Sequence, residues 1–188
     1  HDVRRDENGD IHFDAAGLRD LRLSSPAAYQ AENAALALET IRLLFPDLHA
    51  RTLRPALAAT GWAGRFQLLH RRPDVIVDGA HNREGVSALC ETLRSMHVDT
   101  VIFSVLKDKE CDRMIEMIRM VCDRLILCSF PQGRLADLEE LAHQHHLPLA
   151  HDLRALLEAR MKEDEVIVIS GSLYFVSEAV ALFQHGHV

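Results

Sequence analysis

The chain has 188 residues, of which 48% are hydrophobic and 26% are charged. This composition can bury one sizeable core and is too apolar for a disordered chain. The formal net charge of −7 comes from 21 Lys and Arg against 28 Asp and Glu, which argues against a protein that binds nucleic acid through its phosphates. No apolar run reaches the roughly 18 residues of a membrane span. Because the first residue is His1 rather than Met and no apolar signal region follows it, we expect a piece of a longer cytoplasmic protein.

Four cysteines occur, and none of them forms a C-x-x-C pair: Cys90, Cys111, Cys122 and Cys128. Each lies in an apolar or helical stretch. We therefore predict free, buried thiols of a reducing compartment and no disulfide framework.

The first 60 residues have a pattern of their own. Asn8-Gly9 predicts a hairpin turn between two short strands. From Pro26 onward, apolar residues recur at helical spacing until Pro46 ends the run, and a second short helix is predicted over 52–59. We interpret residues 1–60 as the tail of a preceding domain with connecting helices.

Residues 61–188 alternate between strand and helix patterns. The predicted strands are rich in Val and Ile without alternation, as expected when both faces are covered; they span 74–78, 100–106, 124–130 and 165–170. The predicted helices span 83–96, 111–122, 136–145, 153–162 and 174–183. This order predicts an α/β domain with a Rossmann-like, doubly wound, mostly parallel sheet and helices on both faces. Ligands of such sheets bind at the carboxyl ends of the strands.

The segment VIVDGAHNREG (75–85) places polar residues at such an end. A carboxylate such as Asp78 can accept hydrogen bonds from both hydroxyls of a ribose. Asn82 is a good helix N-cap, and His81 beside helix amides suits an anionic or polar ligand. An alternative from the residues alone is that Asp78 caps the strand and His81 is a surface side chain of a tight turn. Both interpretations remain open at this point.

Five segments in register resemble the folylpolyglutamate and dihydrofolate synthases, the folate branch of the Mur ligase family. They are Gln30-Ala31-Glu32-Asn33-Ala34, Trp62-Ala63-Gly64-Arg65-Phe66, Asp78-Gly79-Ala80-His81-Asn82, Asp108-Lys109 and Gly171-Ser172-Leu173-Tyr174. The resemblance covers nearly the whole chain from Ser24. Two positions depart from the frequent family pattern, Tyr29 (often His) and Arg83 (often Pro), and they bear on the substrate subtype.

The resemblance implies part of an ATP-dependent amide ligase that adds L-glutamate to folate or dihydropteroate. ATP and Mg²⁺ are the implied cofactors, and a monomer is expected. The phosphate-binding motif G-x-x-x-x-G-K-[ST] does not occur in this sequence. In the family, that loop and the magnesium ligands lie in the central domain. We therefore expect this chain alone to be inactive.

The resemblance also implies roles for four nucleotide-binding residues. Asn33 would contact the adenine and Arg65 the phosphates. Asp78 would hold the ribose hydroxyls, with His81 beside the nucleotide. From the residues alone, Asn33 could equally face solvent and Arg65 form a surface ion pair. No metal ligand is assigned within the chain, and the roles of two strand-end segments, 107–109 (Lys-Asp-Lys) and 170–172 (Ser-Gly-Ser), remain open.

Two other functions remain open. The chain could be the equivalent domain of a cell-wall Mur ligase. It could also be a noncatalytic nucleotide-binding module that kept the fold. The sequence does not distinguish dihydrofolate synthase from folylpolyglutamate synthase activity.

Overall fold

The computed structural model describes residues 3–7 and 9–186, and its contacts divide the chain into two units, His1–Ala63 and Gly64–Val188. The first unit combines a three-stranded antiparallel sheet in the order β1-β2-β3 with two helices. Its elements are β1 (Arg4–Arg5), β2 (Ile11–Ala15), β3 (Leu18–Leu23), α1 (Tyr29–Leu44) and α2 (Ala50–Ala58). Asn8 of the predicted hairpin lies outside the described residues, but β1 and β2 do pair antiparallel on either side of it.

The core of this unit lies between one face of β2 and one face of α1. Ile11 and Phe13 are buried against the small side chains of α1, among them Ala31 and Ala34. The helix ends at Leu44 as predicted, because Pro46 cannot continue it and restricts the residue before it.

Strand β3 was not predicted. It follows a tight turn in which Ala16 and Gly17 both adopt positive φ, of 51° and 69°. Two such residues form the kind of turn that fits a hairpin, but Ala-Gly lacks the Asn-Gly signature by which the turn is recognised.

The second unit holds a six-stranded sheet in the order β4-β5-β9-β6-β7-β8. Its strands are β4 (Gln67–His70), β5 (Asp74–Asp78), β6 (Thr100–Phe103), β7 (Arg124–Cys128), β8 (Leu149–Ala150) and β9 (Val166–Ser170). Its helices are α3 (Arg83–Leu93), α4 (Cys111–Arg119), α5 (Leu138–His145), α6 (Leu153–Arg160) and α7 (Leu173–Gln184). All neighbouring strands are parallel except β4, which runs antiparallel to β5. The predicted doubly wound sheet is therefore confirmed.

The position of β9 explains the helices on both faces. The chain moves outward from β5 through β6 and β7 to β8, and then returns to insert β9 between β5 and β6. Because parallel crossovers are right-handed, outward and return connections cover opposite faces. On the return face, Leu157 of α6 and Phe175 of α7 pack against Val77, Ile102 and Ile169 of the sheet.

Two predicted strands extend too far at their carboxyl ends. β6 ends at Phe103 and β7 at Cys128, because the residues that follow leave the sheet for edge loops. Ser104 N–H donates instead to Ser170 O at 3.1 Å, and Leu106 pairs with Leu135 in an isolated bridge. Strands β4 and β8, which are short and partly exposed, were missed.

All four cysteines are free, as predicted, but only Cys90 and Cys128 are buried, whereas Cys111 and Cys122 are partly exposed. Burial raises the pKa of the Cys128 thiol to about 12 and that of the Cys90 thiol to about 11. These thiols are therefore protonated at neutral pH and are poor nucleophiles.

Within residues 3–7 and 9–186, none of the helices combines the length and the apolar character that a membrane span requires.

An ion-pair network joins the amino ends of three strands. Glu165, just before β9, accepts hydrogen bonds from Arg124 at 2.9 Å and from Arg160 at 3.3 Å. Thr100, which is fully buried, donates to the same carboxylate at 2.8 Å. The side chain of Glu165 is only 13% exposed, so these partners replace most of its hydration.

We predict that Glu165→Gln lowers the free energy of unfolding by about 1–2 kcal/mol, because the buried charge-assisted bonds are lost while the half-exposed arginines regain water. That corresponds to a fall in Tm of roughly 2–8 °C for a chain of this size. Thermal unfolding followed by circular dichroism measures it. The matched control is Glu163→Gln, an exposed residue of the preceding turn. Equal melting of both variants would contradict a structural role of the network.

Candidate functional site

The candidate site lies where the strands of the second unit end. β5, β9 and β6 are adjacent and parallel, so their carboxyl ends meet at one edge of the sheet. The segments that follow these strands are 78–82, 170–172 and 104–109. In an open α/β sheet, this edge is where a ligand crevice forms.

The backbone of one residue, Gly79, organises the edge. The Gly79 N–H donates to Gly64 O at 2.7 Å. The Gly79 carbonyl accepts from His81 Nδ1 at 2.8 Å and from Arg65 Nη1 at a longer 3.4 Å. Two of the predicted nucleotide residues, Arg65 and His81, are thereby held beside each other by the same backbone oxygen.

The hydrogen bond of His81 defines its tautomer. Because a carbonyl can only accept, the proton lies on Nδ1 and the neutral ring keeps Nε2 as an acceptor. The side chain is half-buried. Its Nε2 can accept a hydrogen bond from a ligand hydroxyl or, when protonated, donate one to a phosphate.

Asp78 is buried, with 1% of its surface exposed. Its Oδ2 accepts from Phe66 N–H at 2.9 Å, and its Oδ1 accepts from Ala80 N–H at 2.9 Å. The carboxylate therefore bridges the 64–66 loop and the 78–82 turn. Of the two interpretations of Asp78 made from the sequence, this geometry favours the one in which it braces the strand end.

The turn leads directly into α3. Asn82 caps the helix, as expected, and its Oδ1 accepts from Gly85 N–H at 2.8 Å. Ser170, at the end of β9, donates to Ala80 O at 3.3 Å. The turn is thus fixed from the helix on one side and from the neighbouring strand on the other.

Two serine hydroxyls of this edge are buried without a hydrogen-bond partner, Ser104 Oγ and Ser172 Oγ. Ser104 follows β6, and Ser172 is the N-cap of α7 but makes no side-chain cap bond. An unpaired buried hydroxyl is costly, and an ordered water is the usual partner of such a group. Sequence reasoning left the role of Ser172 open and did not consider Ser104. The only available signal was a serine directly after a buried strand.

The remaining candidate residues, Asn33 and Asp108, bond to neighbours of their own and not to the Gly79 backbone. Asn33 belongs to the first unit, where it lies exposed in the second turn of α1 and donates to Gln30 Oε1 at 3.2 Å. In the second unit, Asp108 accepts from Arg134 at 3.0 Å and lies 3.4 Å from Lys109 Nζ, so it forms part of a surface ion-pair group.

Across the described part of the chain, His97, Asp99 and Asp123 are the residues grouped closely enough to hold a metal ion together. They lie at the amino ends of β6 and β7, away from the strand ends that form the candidate site. His97 Nε2 is 3.0 Å from Asp99 Oδ1, so hydrogen bonding among these side chains accounts for the group.

Comparison with known proteins gives consistent matches. Residues 64–173 match the family model described as Mur ligase, glutamate ligase domain. Dihydrofolate synthase/folylpolyglutamate synthase of Bacillus subtilis is 32% identical over 172 residues, which are 85% of this chain and 40% of that protein. Folylpolyglutamate synthase of Lacticaseibacillus casei is 29% identical over 170 residues, with the same coverage of both proteins.

The structural match extends over both units. Folylpolyglutamate synthase of Mycobacterium tuberculosis, solved in complex with ADP and AMPPCP, superposes with a TM-score of 0.83 at 26% identity. The match covers 97% of this chain and 47% of that one. The present chain thus spans less than half the length of the relatives it matches.

The sequence resemblance, the family model and the superposition agree. The chain belongs to the Mur ligase family and carries its glutamate ligase domain in the folylpolyglutamate and dihydrofolate synthase branch.

Proposed function

We propose that this chain is the C-terminal part of an ATP-dependent ligase that joins L-glutamate to folate or dihydropteroate. The observation that carries the proposal is the Gly79 carbonyl, which holds Arg65 and His81 together at the end of β5. The relatives named as dihydrofolate and folylpolyglutamate synthases support the folate branch over a cell-wall ligase.

During the proposed reaction, negative charge develops on phosphate oxygens, and a positively charged side chain beside them stabilises it. Transfer of the terminal phosphoryl group from ATP to a substrate carboxylate gives an acyl phosphate and ADP. The glutamate amine then attacks the acyl carbon, forms the amide and releases phosphate. The planar guanidinium of Arg65 can form paired hydrogen bonds to phosphate oxygens, and such electrostatic stabilisation is a large part of phosphoryl-transfer catalysis.

Other residues would bind the nucleotide and the substrate. His81 Nε2 is the ring atom left for a ligand, and Asn33 offers an amide donor and acceptor for an adenine edge. We infer that Asp78 acts through the backbone it braces, which positions Arg65 and His81.

The side chains of this edge fit a nucleotide better than a metal. The Arg65 guanidinium supplies only donors and a positive charge, whereas both oxygens of the Asp78 carboxylate already accept from backbone amides. Mg²⁺ prefers oxygen ligands such as free carboxylates. We therefore expect the ligands of Mg²⁺ to lie outside this chain.

We also propose that the protein is a monomer of the cytoplasm. Four free cysteines are in keeping with that reducing compartment.

We expect glutamate-dependent ATP turnover from the full-length protein and none from the 188-residue chain, because the chain contains no sequence of the phosphate-loop type. Phosphate release, measured with folate or dihydropteroate in the presence and absence of glutamate, tests this. If the full-length protein turned over ATP without any dependence on glutamate, the proposed reaction would be wrong.

For Arg65, we predict that Arg65→Ala in the full-length ligase lowers kcat by about 100-fold while changing the KM for ATP much less. The physical reason is that the guanidinium meets charge that develops in the transition state. Steady-state kinetics gives both constants. Arg71→Ala, an exposed arginine beyond β4, is the control. A rise in the ATP KM alone, with kcat unchanged, would assign Arg65 to ground-state binding.

For Asp78, we predict that Asp78→Asn lowers both stability and nucleotide affinity. The amide nitrogen faces one of the two backbone N–H donors, so a buried bond is lost at a cost of about 1–3 kcal/mol. The displaced loop then misplaces Arg65. Thermal melts of the 188-residue chain and ADP titration of the full-length protein measure the two effects.

The control for this variant is Asp74→Asn, at the other end of the same strand, where the carboxylate is partly exposed and accepts a long 3.3 Å bond. Loss of affinity without loss of stability in Asp78→Asn would instead indicate direct contact with the ribose.

A further inference from the structure

The loop that carries Arg65 has an unusual backbone. Arg65 lies between Gly64 and Phe66, which both adopt positive φ, of 73° and 46°. Glycine tolerates this region, but a bulky residue such as Phe66 rarely adopts it. Such a conformation persists only where the surroundings enforce it, and it occurs most often at functional sites. The contacts that enforce it here therefore bear on the position of Arg65.

Gln67 supplies one of these contacts. Its Oε1 accepts a hydrogen bond from Gly64 N–H at 2.8 Å. Because a backbone N–H can only donate, the oxygen of the amide, and not its nitrogen, points into the loop. The side chain reaches back three residues and closes the loop as polar side chains close other turns.

The backbone of Gln67 is fixed independently of this bond. Gln67 is the first residue of β4 and pairs with Val77 of β5. Its side chain thus ties a buried loop residue, Gly64, to a strand of the sheet. On another side, a Cβ at Gly64 would lie 2.9 Å from Val176 Cγ1 of α7. Gly64 is therefore held by a hydrogen bond and by close packing together.

A continuous series of hydrogen bonds leads from Gln67 to the candidate site. Gln67 accepts from Gly64 N–H, and Gly64 O accepts from Gly79 N–H at 2.7 Å. The Gly79 carbonyl in turn accepts from Arg65 and His81. Because each bond shares a residue with the next, a shift of Gly64 displaces Gly79 and with it the guanidinium of Arg65.

We propose that Gln67 is a positioning residue of the ligase reaction, which acts through Gly64 and Gly79 on the location of the Arg65 guanidinium. This inference rests on the proposed function, in which Arg65 binds phosphate oxygens. A displacement of about 1 Å in a site of this kind can lower turnover by about 100-fold. For this role the side chain at position 67 needs only an acceptor oxygen.

The first test changes this acceptor in the full-length ligase. Gln67→Leu removes it, and we expect kcat to fall by about 10-fold while the KM for ATP changes by less than about 3-fold. Gln67→Glu keeps an acceptor oxygen, and we expect its kcat to lie within about 3-fold of the wild-type value. Both constants come from glutamate-dependent phosphate release. An unchanged kcat in Gln67→Leu, or an equal loss in both variants, would overturn the proposal.

A double variant shows whether Gln67 acts through Arg65. If it does, Arg65→Ala combined with Gln67→Leu is no slower than Arg65→Ala alone, because no guanidinium is left to misplace. Losses that multiply in the double variant would mean that Gln67 acts by another route, and this result also contradicts the proposal.

Leu69→Ala is the matched control for a loss of stability. Leu69 lies in the same strand and packs against the core of the second unit, so its truncation lowers Tm. It takes no part in the series of hydrogen bonds, and we expect an unchanged kcat at a temperature where every variant is folded. A fall in kcat equal to that of Gln67→Leu would assign both losses to the stability of β4 and would refute a positioning role.

Hydrogen exchange distinguishes a failure of this inference from a failure of the proposed function. In the full-length protein without ligands, we expect faster exchange of the amides of residues 78–82 in Gln67→Leu and unchanged exchange in Gln67→Glu. Mass spectrometry of peptides that cover these residues measures it. Unchanged exchange in Gln67→Leu would show that the bonds do not depend on Gln67, whether or not the ligase is active. Wild-type ATP turnover without any dependence on glutamate would instead contradict the proposed function, and the positioning role in that reaction with it, even if the exchange rates changed as expected.

Discussion

The geometry of the candidate site depends on the backbone of Gly79. Its N–H donates to Gly64 and its carbonyl accepts from Arg65 and His81. The N–H belongs to the peptide unit of residues 78–79 and the carbonyl to that of residues 79–80, so two successive planar units fix a loop on one side and two side chains on the other. The bond to Arg65 is long, which leaves most of the donors of the guanidinium free for a ligand. The edge can thus be ordered before a ligand arrives, and this reduces the entropy lost on binding.

Close packing explains why glycine occupies this position. A Cβ at Gly79 would overlap the side chain of Leu173 in the first turn of α7 and would press on the Gly64 carbonyl. Gly171 is held more tightly, because it adopts φ of +111° and a Cβ would collide with the Ser104 carbonyl and the Phe103 ring. Both glycines let backbones approach at the ends of β5 and β9, which brings the segments of the site within reach of one another.

Much of the second unit could be predicted from the sequence, because its central strands are covered on both faces and show as continuous runs of Val and Ile. Strand β4 has no such run, because it is half-exposed and antiparallel. The run at β6 does not show where that strand ends, because apolar residues such as Val105 continue beyond it in a buried loop. Local composition does not distinguish a buried strand from a buried loop that bonds to a neighbouring segment.

The site itself was predictable in its residue types but not in their roles. A motif with Asp, Gly, His and Asn indicates a ligand-binding turn, but it does not say that the Asp78 oxygens accept from Phe66 and Ala80. That pairing joins segments 12 residues apart, and it appears only when β4 and β5 bring them together. Likewise, the sequence places Ser104 and Ser172 68 residues apart, and only the insertion of β9 beside β6 makes both part of one edge.

The amino ends and the carboxyl ends of the strands differ in how well their polar groups are satisfied. At the amino ends, two arginines neutralise the charge of Glu165, and the hydroxyl of Thr100 donates a hydrogen bond to it. At the carboxyl ends, two buried hydroxyls remain unpaired, each at a cost of about 1–3 kcal/mol. A folded domain can tolerate such a cost only when other regions are well satisfied, because its net stability is about 5–15 kcal/mol. Among the described residues, these two hydroxyls lie at the same edge of the sheet as the Gly79 carbonyl, which holds Arg65 and His81.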